Sequence, residues 1–252
     1  AYKATLTLAT LIIDSWEKFA SFYEYAEKPT SLSWDGHFIV SADIDGNGAT
    51  FYAFCNWYYG IFNSTNGFIG TFDGRGHIIS NFQTGNNPTV TTSGSHANIF
   101  SNIGAKGVVK NVCFAEVTKN GTASLLASNC WGTIENVFTS GYLMGAGSGN
   151  DAATMLVTNL KSGATVRNCA MYIKWKNGSY TNGTNFALLY ATREDGVTIE
   201  NVHAMGSSST NLIIGELNPA IEGVTKYLSD TDMDAFKAAV TQLGMPTDKL
   251  FI

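Results

Sequence analysis

Ile79-Ser80-Asn81-Phe82, Val109-Lys110-Asn111-Val112, Ile134-Glu135-Asn136-Val137, Val166-Arg167-Asn168-Cys169 and Ile199-Glu200-Asn201-Val202 are five copies of one phrase: apolar, polar, Asn, apolar. The Asn residues advance by 30, 25, 32 and 33 positions. Such a period is the signature of a solenoid, whose units bury their apolar faces only against their neighbours. A helical repeat would need long runs with apolar residues three and four apart. These copies offer short β-branched runs broken by Gly, Asn, Ser and Thr, so the unit is made of strands.

Working outward, Phe100, Leu126, Leu156 and Leu189 stand 11, 10, 12 and 12 residues before the Asn of their copies. Asn102, Asn129 and Asn159 form a second polar column, with Thr192 departing from Asn in the fourth copy. Layers stacked at the strand spacing of about 4.8 Å let equivalent Asn side chains hydrogen-bond one another. Asn also tolerates left-handed backbone and so supplies turns, but a turn preference alone does not account for a five-fold column, and we read a ladder. The residue before each Asn is Ser80, Lys110, Glu135, Arg167 and Glu200. Strand alternation turns it outward, so stacking sets opposite charges side by side in a row that fixes register.

The chain has 252 residues, 44% of them apolar, 14% charged and 26 of them Gly, which suits one turn-rich all-β domain with a continuous core. A net charge of -5 without a Lys/Arg run argues against a nucleic-acid or anionic-membrane partner, and no apolar run reaches membrane-spanning length. The first residue is Ala1 rather than Met, which we read as the start of a processed or excised segment. Cys55, Cys113, Cys130 and Cys169 lack the C-x-x-C spacing of a zinc or redox site, and Cys169 fills a column otherwise held by Val and Phe, as a core hydrophobe. Their disulfide state is not readable from spacing.

Residues 1–36 are expected to form a strand, Tyr2 to Ile13, and a capping helix. Asp14-Ser15-Trp16-Glu17 opens that helix, which runs to about Ala26 before Pro29. Residues 37–218 carry the solenoid, with polar excursions at 85–97, 145–152, 176–185 and 206–211 projecting as loops. The aromatic stretch Phe51 to Phe62 fills the wide end of the core under the helix. Residues 219–252 carry a second helix, Ser229 to Leu243, which either caps the other end or packs along the side. A helix over an end has a physical purpose, since open strand edges and an apolar cross-section template aggregation.

The phrase Phe68-Ile69-Gly70-Thr71-Phe72-Asp73-Gly74-Arg75-Gly76-His77-Ile78-Ile79, preceded by Ala42-Asp43-Ile44-Asp45, resembles the opening rung of the GLUG-type repeats of bacterial surface proteins. The resemblance covers roughly residues 37 to 205. It implies the pectin-lyase-like fold, a single right-handed parallel β-helix, in a large exported protein of the cell surface. It implies no enzyme: the lyases and hydrolases on this helix carry acidic and basic clusters unmatched here.

The residues themselves offer little chemistry. Asp43-x-Asp45-x-Asn47-Gly48 begins like a calcium loop but has Phe54 where the terminal Glu belongs, so we read a turn and expect no metal. Asp73-Gly74-Arg75-Gly76-His77 gathers an acid, a base and an imidazole, yet a glycoside hydrolase needs two carboxylates on one face and only Asp73 is at hand. His37, His96 and His203 are scattered, and Gly145-x-Gly147-x-Gly149 lacks the strand-to-helix setting of a dinucleotide loop, so no catalytic residue and no cofactor is assigned. Tyr142, Tyr172, Trp175 and Tyr180 are the candidate ligand-binding residues, a stacking platform for a sugar or a protein. The expected role is a non-catalytic, adhesin-like or spacer module presenting loops to a glycan or host-surface protein. A polysaccharide lyase or hydrolase, or a phage fibre or capsid-decoration protein, is the alternative.

Overall fold

The computed structural model describes residues 10–25, 27–30, 33–52, 67–85, 98–120, 124–144, 153–174, 186–206, 211–213 and 220–251. Its strands stack into long parallel sheets with few helices, consistent with an all-β parallel solenoid. Among the described residues the sheets have 14, 7 and 3 strands. The backbone of the largest runs through Thr10–Ile13, His37–Val40, Thr71–Asp73, Val108–Asn120, Thr133–Met144, Ala170–Ile173, Val202–Gly206 and Val224–Leu228, every neighbour parallel. Each layer thereby satisfies its amides against the layers above and below it.

The register stacks like on like. Phe38, Phe72, Val109, Ile134, Val166 and Ile199 form one buried column, each paired with the next. The early layers are filled by phenylalanine, with Phe19, Phe22, Phe72, Phe82, Phe100 and Phe114 in mutual ring contact, whereas later layers use Leu, Val, Met and Ala. Cys169 is buried in its column as the sequence suggests, and Cys113, Cys130 and Cys169 are all reduced.

Both explanations of the recurring Asn hold at once. Asn111, Asn136, Asn168 and Asn201 have φ of 52°, 52°, 52° and 50°, the left-handed bend for which Asn is suited. Their amides also bond between layers: Asn136 Nδ2 donates to Asn111 Oδ1 at 3.1 Å, and Asn201 Nδ2 to Asn168 Oδ1 at 2.8 Å. Asn111, Asn136 and Asn168 are half-buried rather than buried, and the buried Oδ1 of Asn136 accepts no hydrogen bond, so this ladder is in two pieces. The second column is continuous: Asn129 donates to Asn102 at 2.8 Å, Asn159 to Asn129 at 3.0 Å, and the Thr192 hydroxyl to Asn159 at 2.7 Å.

The first copy is out of place. Ile79 pairs with Phe114 and Ser80 with Ala115, so Asn81 lies level with Glu116 at a different bend, and Asp73, not Ser80, stands beside Lys110. The cause is a longer turn: Asp73-Gly74-Arg75-Gly76 takes the place that Asn111 alone fills one layer on, with Gly74 and Gly76 N–H donating to the Lys110 and Asn111 carbonyls at 2.8 and 2.7 Å. Asp45-Gly46-Asn47-Gly48 does the same below Asn81. In both turns the Asp carboxylate accepts from the Asn above, Asp73 from Asn111 at 3.0 Å and Asp45 from Asn81 at 2.9 Å. An Asp-Gly-x-Gly turn thus starts each Asn bend.

The first helix is shorter than expected. α1 spans Trp16–Ala20, capped by Ser15, whose hydroxyl accepts from Lys18 N–H at 3.4 Å, and a 3-10 turn follows over Phe22–Tyr25. Phe19 and Phe22 enter the aromatic core from above, and Phe51 packs on Phe19, while Phe54 and Trp57 to Phe62 lie outside the described residues. At the other terminus the sheet continues into the segment expected to carry only the helix: Val224–Leu228 adds one more parallel strand. α2, Met233–Gln242, and α3, Thr247–Leu250, then lie along the outer face of the large sheet. Of the two placements expected for the later helix, the chain adopts the lateral one.

Candidate functional site

The outer charges are arranged to neutralise one another. Asp73, Lys110, Glu135, Arg167 and Glu200 stand in register on successive strands. Arg167 reaches Glu135 at 3.0 Å and Lys110 reaches Asp73 at 3.5 Å. Burial works to raise the Asp73 carboxyl, but hydrogen bonds from Asn111 and the Arg75 N–H, with the Lys110 charge, more than offset it and hold it below the ordinary range. The hydrogen bond to Glu135 raises the Arg167 guanidinium. Opposite signs alternate along the row, so Asp73 and Glu135, and Glu135 and Glu200, each stand two strands apart with a cation between them.

A second cluster gathers around Asp43, which follows the His37–Val40 strand. Asp43 Oδ1 lies 3.1 Å from His77 Nδ1 and accepts from the Ile78 N–H at 3.1 Å, while Oδ2 accepts from Lys249 Nζ at 2.7 Å. Burial opposes ionisation of Asp43, and the Lys249, Ile78 and His77 contacts outweigh it, lowering its carboxyl. The acid-base-imidazole phrase is therefore divided: Asp73 turns to Asn111 and Lys110, His77 to Asp43. The nearby Cys113 thiol is pushed up to about 12 by burial and by the Asp43 charge, which leaves it no nucleophile. Asp45 likewise turns away from Asp43, accepting from Asn47 N–H at 2.8 Å and from Asn81, so the calcium-like phrase does not converge on a point. Among the described residues no group of three or more His, Cys, Asp or Glu side chains is placed to hold a metal. His203 bonds Tyr227 and Asn201 at 3.1 and 3.0 Å, and His37 bonds Thr10 at 3.3 Å.

The four aromatic candidates are not assembled by the described chain. Tyr172 has ring contacts with Phe236 and Phe251, each at 6.3 Å, and so packs beneath the C-terminal helices instead of lining an open platform. Its strand partner is Ser140, two positions before Tyr142, which pairs with Thr118 on the other side. Trp175 and Tyr180 lie outside the described residues. What the sequence lacked was the destination of the last helix: its Phe236 and Val240 mark an apolar face without naming the surface that receives it.

The chain departs from the large sheet at Gly85, Asn120, Met144 and Gly206, and from beside it after Lys174, and the next described residues are Asn98, Ser124, Ala153, Asn211 and Phe186 respectively. The polar excursions expected as loops, with Trp175 and Tyr180, lie for the most part outside the described residues. Among the described residues no helix is long and apolar enough to cross a membrane. Comparison of the chain with models of known families, with curated proteins and with solved structures gives no match.

Proposed function

We propose that the sheets are the walls of a single right-handed parallel β-helix of the GLUG-like, pectin-lyase-like kind. We further propose that this chain is a non-catalytic module of an exported bacterial surface protein, a stiff spacer that offers a glycan or host-surface protein the loops on one of its sides. The observation that carries the reading is the continuous Asn102-Asn129-Asn159-Thr192 ladder in one sheet, together with a row of alternating charges in another. Polar groups spent on one another set register and stiffness, as a spacer needs, and leave their chemistry engaged. Trp175 and Tyr180 provide the apolar ring faces on which a sugar stacks.

The test is a glycan and cell-surface binding array run with wild type and Trp175→Ala, beside turnover assays on pectins and common polysaccharides. Weak binding lost in Trp175→Ala, without turnover, is the expected result. Equal binding by both proteins removes the aromatic contact, and turnover abolished by Asp73→Asn rejects the non-enzymatic reading.

A further inference from the structure

The large sheet buries two separate apolar surfaces. One is the interior; the other is a strip on its outer face, where Ile78, Cys113, Phe138, Ala170 and Met205 cluster with Phe236, Val240, Met245 and Leu250 from the C-terminal segment. These clusters do not merge. Residues 233–251 therefore contribute nothing to the interior, although Phe236 and Val240 are fully buried.

The way this segment is attached is equally distinct. α2 makes its backbone hydrogen bonds within itself and to the Ser229–Asp232 turn at its start, with Phe236 N–H to the Asp232 carbonyl at 2.9 Å and Leu243 N–H to that of Ala239 at 3.2 Å. No described residue of 233–251 joins a sheet ladder. Beyond the turn, this segment is bonded to the sheet-forming part by Lys249 Nζ to Asp43 Oδ2, made at the far end from the turn. The segment therefore starts at the last strand of the large sheet, runs back across its outer face and is pinned beside the turn that follows the second. Lifting it breaks the exposed Lys249–Asp43 ion pair and uncovers apolar surface, but breaks no described strand pairing. Parts held in this way open independently of the ladders they cover.

We propose that residues 233–251 are a clasp that opens and closes as a unit about the Ser229–Asp232 turn while the parallel sheets stay folded, alternately hiding and exposing the strip around Phe138. Cys113 reports the state of the clasp. It lies on the strip and is 2% exposed, whereas Cys130 and Cys169 are buried in the interior cluster. Of the three cysteines described, only Cys113 becomes accessible when the clasp alone lifts.

Wild type, Lys249→Ala and Phe251→Ala are exposed to iodoacetamide under native conditions, with the modified cysteine located by mass spectrometry and the global unfolding rate measured separately. Lys249 is exposed, so its replacement leaves the fold intact, and Phe251→Ala loosens the packing by a second route. The expected result is modification of Cys113 about tenfold or more faster than Cys130 and Cys169, accelerated roughly three- to tenfold in each variant, with the strand signal in circular dichroism unchanged. Modification of Cys113, Cys130 and Cys169 together at the rate of global unfolding overturns the clasp. So does a Cys113 rate that neither variant changes.

Discussion

At the scale of single residues, the same amino acid serves two purposes that substitution separates. Asn129 is in a strand, outside the positive-φ set, and both donates and accepts within its ladder. Asn129→Leu is expected to lower stability by about 1 to 3 kcal/mol, the cost of leaving buried polar partners unmet, read from urea unfolding. At Asn136 the bend adds to that loss, so Asn136→Gly, which relieves the backbone, is expected to be milder than Asn136→Leu. The second Asn column was fully legible in the sequence, Thr192 included, because strand alternation keeps it in step. Asn81 was misread because two different bends impose the same left-handed requirement, and a short phrase does not say which bend it occupies. Lys119 was not legible as an interior residue at all. It is 1% exposed, and burial pushes its ammonium down to about 7. Between pH 7 and the ordinary lysine value of 10.5, the unfolded chain holds a proton that the folded one has released, so stability rises with pH through that window. Lys119→Met should stabilise by about 1 to 3 kcal/mol below pH 7, with the gain shrinking towards pH 10 in urea titrations.

At the scale of elements, both terminal helices were legible from their caps and apolar spacing, and their destinations were not. An amphipathic pattern identifies the face that must be covered, while the covering surface is assembled only after strands from distant layers have paired. α1 supplies Phe19, which touches four rings from three layers and is fully buried, so Phe19→Ala should cost about 3 to 5 kcal/mol and lower the melting temperature accordingly. The Val224–Leu228 strand escaped the sequence reading because it carries no Asn bend; its Val224, Thr225 and Tyr227 suit a strand, but no repeated phrase marks it. Gly141 shows how closely neighbouring layers approach: a Cβ there would stand 1.9 Å from the Val117 carbonyl oxygen. Only glycine fits that step.

At the scale of the whole molecule, acid should act on the ends of the bends. Asp43 and Asp73 both titrate below the ordinary 3.8, so the stability they confer is complete above that value and is lost as pH falls through their folded values. Melting temperature followed from pH 6 to pH 2 should drop in the acid range, and Asp73→Asn should flatten that drop, since an amide there no longer titrates. The alternating row Asp73, Lys110, Glu135, Arg167, Glu200 has a consequence for how such a chain can lengthen. Duplicating a single layer would place Glu beside Glu or cation beside cation, whereas duplicating two adjacent layers preserves every alternation. A gene for this chain therefore grows most easily by tandem copies of about two repeats, with parity acting as a filter on which duplications survive.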